Sequence, residues 1–311
     1  LGLYYSIPDM HHPAYPHAGH PYEFSEPQPD DTPDRDAYVN YIRAQAKELL
    51  TKYGPIAFWW WDANVMEYHD EGFHEYLRKL QPGIEINNRG FGKGDFGTPE
   101  RDWDDSVNTL DYFAEPTEAC QSIGLYSWGW KEDEDFYSDR HLQHSIAKIM
   151  GKGGRYLLNV GPQADGLFSE HDMTLMSRLG AWYQQVKEAF IDTDSCNALT
   201  DNPDILLTRK EETLYVILHQ PPVTNAVRLR PLNTPPLTAT LLNTGKPVDT
   251  LVNRLPGYGP GVDADPALRL RNLPVNDLAG QVLVIRLEFA PDTLPDQTTA
   301  KREEEREYSA T

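Results

Sequence analysis

The 311-residue sequence predicts an α/β fold: part of a (β/α)8, TIM-like barrel followed by a C-terminal antiparallel β-sandwich. Three observations predict it. Apolar strand-like runs alternate with amphipathic helical stretches about five times over residues 1–195, the mark of parallel β/α units. After about Cys196 the helical signal stops, and short apolar runs are separated by turns rich in Asn, Pro and Gly. The third is the stretch Tyr53-Gly54-Pro55-Ile56-Ala57-Phe58-Trp59-Trp60-Trp61-Asp62. Its unbroken apolar run after a Gly-Pro breaker suits a strand buried on both faces of a parallel sheet.

Each element has its own signal. Leu1 to Ser6 reads as a strand, and a Pro- and His-rich loop follows to about Pro33. Asp34 and Asp36 cap a helix whose Tyr38, Tyr41, Ile42, Leu49 and Leu50 recur at helical spacing. The Asp62 strand comes next, then a helix through Phe73, Tyr76, Leu77 and Leu80 that stops at Pro82-Gly83. Ile84 to Asn87 reads as a short strand, and a long Gly- and Asp-rich loop carries Gly94 to Glu100. Leu125 to Trp130 reads as a strand end, followed by a helix from about Ser138 to Met150. Arg155 to Val160 is an apolar strand ended by Gly161-Pro162, and a helix from about Ser169 to Ala189 completes the series. Sandwich strands are expected at Ile205–Leu207, Leu214–Leu218, Val227–Leu229, Ala239–Leu242 and Val282–Ile285. The expected domains are therefore 1–195, the barrel portion; 196–294, the sandwich; and 295–311, a disordered or frayed charged tail. Eight β/α units close a barrel, so about three are expected upstream of Leu1 or from a second copy in a homo-oligomer.

Composition narrows the partners. A formal net charge of −20 repels nucleic acid and anionic membrane surfaces, and suits a neutral ligand such as a sugar. No stretch has the length of a transmembrane helix. Cys120 and Cys196 are too few for a disulfide framework and lack metal-site spacing. His11, His12, His17 and His20 lie in a Pro-rich loop without matching acid or Cys ligands, so no metal is expected.

A carboxylate ending a buried strand, at the mouth of a barrel, is poor packing and good chemistry, which singles out Asp62. Glycoside hydrolysis needs two carboxyl groups across a sugar. Asp62, Asp95, Glu100, Glu115 and Glu118 all follow strand-like runs, and spacing does not choose among them.

Several segments resemble the α-L-fucosidases of glycoside hydrolase family 29. Gly2-Leu3-Tyr4-Tyr5-Ser6 followed by Asp9-Met10-His11-His12-Pro13 resembles their Tyr-Tyr-Ser strand, with Met10 where that family usually has Trp. Trp59-Trp60-Trp61-Asp62 resembles the strand that carries the nucleophile, with Ala63 and Asn64 in place of a commoner Gly. Asn87-Asn88-Arg89-Gly90 and Asp95 to Glu100 match an Asn-x-Arg-Gly segment and the acid-bearing loop after it. Glu118-Ala119-Cys120, Ser127-Trp128-Gly129-Trp130 and Gly153 to Pro162 with Asp165-Gly166 match in the same order, so the resemblance covers about residues 1–190.

The resemblance implies a retaining exo-glycosidase that releases terminal α-L-fucose from fucosylated glycans without metal or organic cofactor. Asp62 would be the nucleophile, with Arg89 holding it ionised and fixing the sugar. Glu100 is the preferred general acid/base and Glu118 the alternative. Trp128 would stack on the C–H face of fucose, Tyr5 would lie near the sugar, and His11 and His12 would line a subsite. Such enzymes are commonly exported or lysosomal, so an extracytoplasmic location is expected. Two other readings stay open: a truncated, non-catalytic carbohydrate-binding homologue, and another retaining exo-glycosidase.

Overall fold

A computed structural model of the chain describes residues 1–19, 23, 25–101, 107, 111–254 and 266–295. His20 and the charged tail beyond Pro295 lie outside the described residues. The chain divides into two compact units: Leu1–Thr98 with Glu115–Glu118, and Pro99–Ala114 with Ala119–Thr311.

The first unit is a parallel sheet covered by helices. Strand β1 (Gly2–Ser6) leads to helix α1 (Arg35–Lys52), strand β2 (Phe58–Asp62), helix α2 (Glu71–Leu80) and strand β3 (Glu85–Ile86). The sheet order is β1-β2-β3, with Tyr4 opposite Trp60 and Ser6 opposite Asp62. Helix α1 starts where the sequence says it should. Asp34 Oδ1 accepts the backbone N–H groups of Asp36 and Ala37, each at 3.0 Å, satisfying donors that have no partner within the helix. Both helices bury one face, α1 through Tyr38, Ile42, Ala46 and Leu50, and α2 through Phe73 and Leu77. These meet Trp59, Trp61 and Ile86 in one core. Asp95 is structural: it holds Arg78 through both oxygens at 2.8 Å and accepts the Ile86 N–H.

The stretch from Gly94 to Glu100, expected as a long loop, is partly laddered. Phe96 bridges Asn87, and Gly97 bridges Thr117, both in parallel. The second unit continues the motif with its own bridge, Glu100 to Cys120.

Strand β4 (Glu118–Ser122) hydrogen-bonds to β5 (Arg155–Asn159), with helix α3 (Asp139–Gly151) between them in sequence and helix α4 (Glu170–Val186) after them. The strand lies at 118–122, while Leu125 to Trp130 is an irregular loop; Glu-Ala-Cys-Gln-Ser carries too little apolar character to read as a strand. Helices α3 and α4 are capped by Ser138 and Ser169, the latter in a capping box with Asp172.

The sandwich follows as strands β6 (Asp194–Ser195), β7 (Leu206–Lys210), β8 (Thr213–Leu218), β9 (Val227–Leu229), β10 (Thr238–Leu241), β11 (Lys246–Pro247), β12 (Asp249–Asn253), β13 (Ala267–Arg271) and β14 (Leu283–Glu288). One antiparallel sheet runs β11-β10-β14-β8-β7-β6 and the other β12-β13-β9. Leu207, Val216 and Ile285 of the first sheet face Leu229, Leu268 and Leu270 of the second. The larger sheet is buried on its other side too, where Leu206, Tyr215, Ile217 and Val284 pack with Leu142, Ile146, Leu179 and Trp182 of α3 and α4. Trp182 Nε1 donates to Val282 O at 3.0 Å, pinning α4 to this sheet. Among the described residues no helix is long and apolar enough to cross a membrane.

Because the Ser169–Asp172 box satisfies two backbone donors at once, Ser169→Ala is expected to cost about 1 kcal/mol. Amide exchange in the first turn of α4 should quicken, and an unchanged rate there would contradict the capping role.

Candidate active site

The pleat of β1 and β2 decides which side chains share a face. Trp59 and Trp61 point into the helix-covered core, both fully buried. Trp60 and Asp62 point to the other side, where Tyr4 stacks on Trp60 with centroids 5.7 Å apart. On this face Asp62 is gripped on both oxygens. Tyr4 Oη donates to Oδ2 at 2.7 Å, and Arg89 NH1 donates to Oδ1 at 3.1 Å. Both carboxylate oxygens are thus hydrogen-bonded, one of them to a cation.

Arg89 is held in turn. Its Nε donates to Thr98 Oγ1 at 3.0 Å, its NH2 to Thr98 O at 2.8 Å, and its guanidinium carbon lies 4.7 Å from the centre of the Trp60 ring. Thr98 Oγ1 donates to Asn88 Oδ1 at 2.9 Å. The other edge of the Trp60 indole donates to Glu118 Oε1 at 3.2 Å. One tryptophan therefore touches the arginine that holds Asp62 and also the Glu118 carboxylate. Burial raises the Glu118 carboxyl above the usual carboxylate range, opposed by the Trp60 N–H, which favours the ion.

The backbone around Asp62 is fixed by a side chain acting as a ladder rung. Buried Asn87 accepts Trp61 N–H at 2.8 Å and donates to Trp61 O at 2.9 Å. Gly90 is needed beside it, because a Cβ there would fall 2.1 Å from Trp61 Cδ1. Ala63, the residue after Asp62, has φ +57°, a left-handed conformation that a glycine adopts more readily.

Of the sequence-expected site residues, Asp62, Arg89 and Glu118 come together in the first unit. Tyr5 does not join them. It faces the helix layer, where its hydroxyl donates to Gln45 Oε1 of α1 and its ring packs on Trp59 and Trp61. Strand alternation gives the Asp62 contact to Tyr4 instead. His12 is also structural: its ring lies 4.2 Å from that of Tyr41, and Nδ1 accepts Ala14 N–H. His11 is exposed, with its backbone N–H on Asp9. In the second unit, Glu100 is half-buried and its backbone bridges Cys120 of β4. Trp128 is 38% exposed and lies over the guanidinium of Arg101. Among the described residues no three His, Cys, Asp or Glu side chains are grouped to hold a metal.

Sequence reasoning missed Tyr4, Trp60 and Asn87. Tyr4 and Trp60 were recoverable from alternation, since Trp60 lies two residues before Asp62 and a parallel register sets Tyr4 opposite it. Asn87 gave no comparable signal, because its partner is main chain on a neighbouring strand.

A family model described as alpha-L-fucosidase matches residues 1–188. The plasma alpha-L-fucosidase of Homo sapiens is 25% identical over 231 residues, 70% of this chain and 48% of that protein. The alpha-L-fucosidase of Branchiostoma floridae is 24% identical over 80% of this chain and 56% of its own length. The chain thus spans about half the length of the curated relatives it matches. Alpha-L-fucosidase isoenzyme 1 from Paenibacillus thiaminolyticus superposes with TM-score 0.70 at 27% identity, over 92% of this chain and 71% of that one. A Bacteroides thetaiotaomicron GH29 alpha-L-fucosidase, captured as a trapped covalent intermediate with 2-fluoro-fucosyl fluoride, shares the fold with TM-score 0.70 at 23% identity, over 92% of this chain and 67% of its own.

Two substitutions test the local backbone. Ala63→Gly removes a left-handed alanine and should stabilise the chain by about 1 kcal/mol in urea unfolding. Gly90→Ala drives a methyl into Trp61 and should cost roughly 1–3 kcal/mol in the same titration.

Proposed function

The chain belongs to the alpha-L-fucosidase family, and from that premise we propose that it carries the nucleophile and the general acid of a retaining exo-α-L-fucosidase. The observation that carries the proposal is the Asp62 carboxylate, held on one oxygen by Tyr4 and on the other by Arg89. Asp62 attacks the anomeric carbon of a terminal α-L-fucoside as the acid protonates the departing glycosidic oxygen. A fucosyl ester on Asp62 results, and water, deprotonated by the same residue that served as acid, then releases fucose with retained configuration. The covalent intermediate trapped in the Bacteroides relative supports this two-step course. The portion over 1–195 contributes parallel strands to a barrel closed in the whole protein, with the sandwich over 196–294 beside it in sequence.

Glu118 is the better acid. Its raised carboxyl keeps a proton to higher pH than an exposed glutamate does, as an acid catalyst requires, and Trp60 ties it to the Arg89–Asp62 pair. Trp60 and Arg89 belong to the binding surface of the first unit; in the second, Trp128 has the aromatic face that the family resemblance assigns to the C–H groups of fucose. Arg89 also compensates charge: once Asp62 is esterified, its guanidinium can donate to a sugar hydroxyl instead.

Three assays on the full gene product test the assignment. With a chromogenic α-L-fucoside, Asp62→Asn should lower kcat roughly a thousandfold or more. Glu118→Ala should lose about 10²–10⁴-fold with poor leaving groups, keep activity on an activated aryl fucoside, and be rescued by azide. Rescue of Glu100→Ala in place of Glu118→Ala would transfer the acid role to Glu100.

The third assay is the pH profile. An acid catalyst works while protonated, so kcat/KM falls as pH rises through the Glu118 pKa. Trp60→Phe removes a donor that favours the ionised form, so the alkaline limb should move to higher pH. A shift to lower pH would contradict the Trp60–Glu118 pairing.

A further inference from the structure

Resting on the fucosidase reading with Trp128 as its stacking residue, we infer that Arg101 is a positioning residue that fixes the plane of Trp128 and thereby sets the affinity of the sugar subsite. The surroundings of Arg101 are costly. Arg101 is 4% exposed, and a guanidinium taken out of water must be compensated by close partners. Its backbone has φ +56°, a left-handed conformation in which Cβ crowds the following carbonyl. A buried charge on a strained backbone persists only where the surroundings hold it there, which points to a use for the direction in which it is aimed.

That direction is the loop bearing Trp128. The guanidinium carbon lies 4.7 Å from the Trp128 ring centre and 5.8 Å from that of Tyr137. NH1 donates to Gly124 O at 3.2 Å and to Tyr137 Oη at 3.1 Å. Arg101 therefore grips the start of the loop through Gly124 and its tip through the indole. The main chain of the tip is held separately: Asn159 Nδ2 donates to Trp128 O at 2.6 Å, and Ser122 Oγ donates to Ser127 O at 3.0 Å. Main-chain bonds fix where Trp128 starts, but they leave its side-chain torsions free. The guanidinium stacked on the ring adds a restraint on the side chain itself.

With one face of the indole on Arg101, sugar C–H groups are left the other. A cation on the far side draws π density toward itself, so it does not enrich the open face electronically. Its contribution is orientation: the ring is already in the stacking plane before ligand arrives, and less freedom is lost on binding. Arg101 meets no reacting atom in this assignment, so binding should change and the chemical step should not.

The test is a double-mutant cycle in the full gene product with a chromogenic α-L-fucoside, comparing wild type, Arg101→Met, Trp128→Leu and the pair. Arg101→Met should raise KM roughly tenfold, with kcat within about twofold. Arg101→Lys, which keeps a cation without the planar fork, should recover part of that loss. In the Trp128→Leu background, Arg101→Met should change KM by less than about twofold, because its route of action is gone. Fully additive effects, or an unchanged KM in Arg101→Met, would overturn the inference. If Arg101→Met fails to fold, Arg101→Lys carries the same cycle.

A second readout does not depend on turnover. With 5-fluorotryptophan incorporated, the Trp128 ¹⁹F resonance, assigned by its loss in Trp128→Leu, should shift or broaden in Arg101→Lys. An unmoved Trp128 signal would sink the positioning role even if wild type proved inactive on every fucoside, whereas a moved signal in an inactive protein would fault the proposed function alone.

Discussion

The ion pair between Arg89 and Asp62 is the constraint around which the first unit is arranged. Both side chains are largely withdrawn from water, with 20% and 28% of their surfaces exposed. Such a pair is tolerable only when the remaining hydrogen-bonding capacity is also met. Tyr4 meets it for Asp62, and Thr98 meets it for Arg89 through both its carbonyl and its hydroxyl. The pair is thereby locked in orientation as well as in place. The same network explains why four separate segments must converge: β1, the end of β2, the Asn-Asn-Arg-Gly turn after β3, and Thr98.

The Trp-rich strand performs two tasks because its side chains alternate. Trp59 and Trp61 anchor it to the helix layer, where Tyr5, Phe73 and Phe91 enclose them edge-on or stacked. Trp60, on the opposite side, is the surface on which Arg89 rests and from which Glu118 takes a hydrogen bond. A strand buried on both faces suits the nucleophile proposed at its end, since positional errors at Asp62 would have to move the whole aromatic core. Catalysis by positioned groups depends on that stiffness.

In the second unit the larger sheet of the sandwich is shared by two cores. Its strands β7, β8 and β14 bury residues toward the smaller sheet on one side and toward α3 and α4 on the other. Strands buried on both faces lose polar alternation and become continuous apolar runs, which is why Leu214-Tyr215-Val216-Ile217-Leu218 was legible as a strand. Strands of the smaller sheet have one wet face. Asp249–Asn253 and Ala267–Arg271 mix charged and apolar residues and gave no comparable signal.

The sequence by itself determined the alternation of strands and helices, the helix starts at Asp34 and Ser169, and the placement of Asp62 at the end of a buried strand. These are local properties, set by periodicity, breakers and capping chemistry within a few residues. It also pointed to Arg89 and Glu118 as candidates, through segment resemblance. Only the tertiary structure decided that Tyr4 and not Tyr5 meets Asp62, because the face of a strand depends on its pairing register. Only it joined Glu118 to Trp60 across 58 positions of chain. It alone set Arg101 beneath Trp128, since a contact between distant segments leaves no mark in the spacing of either.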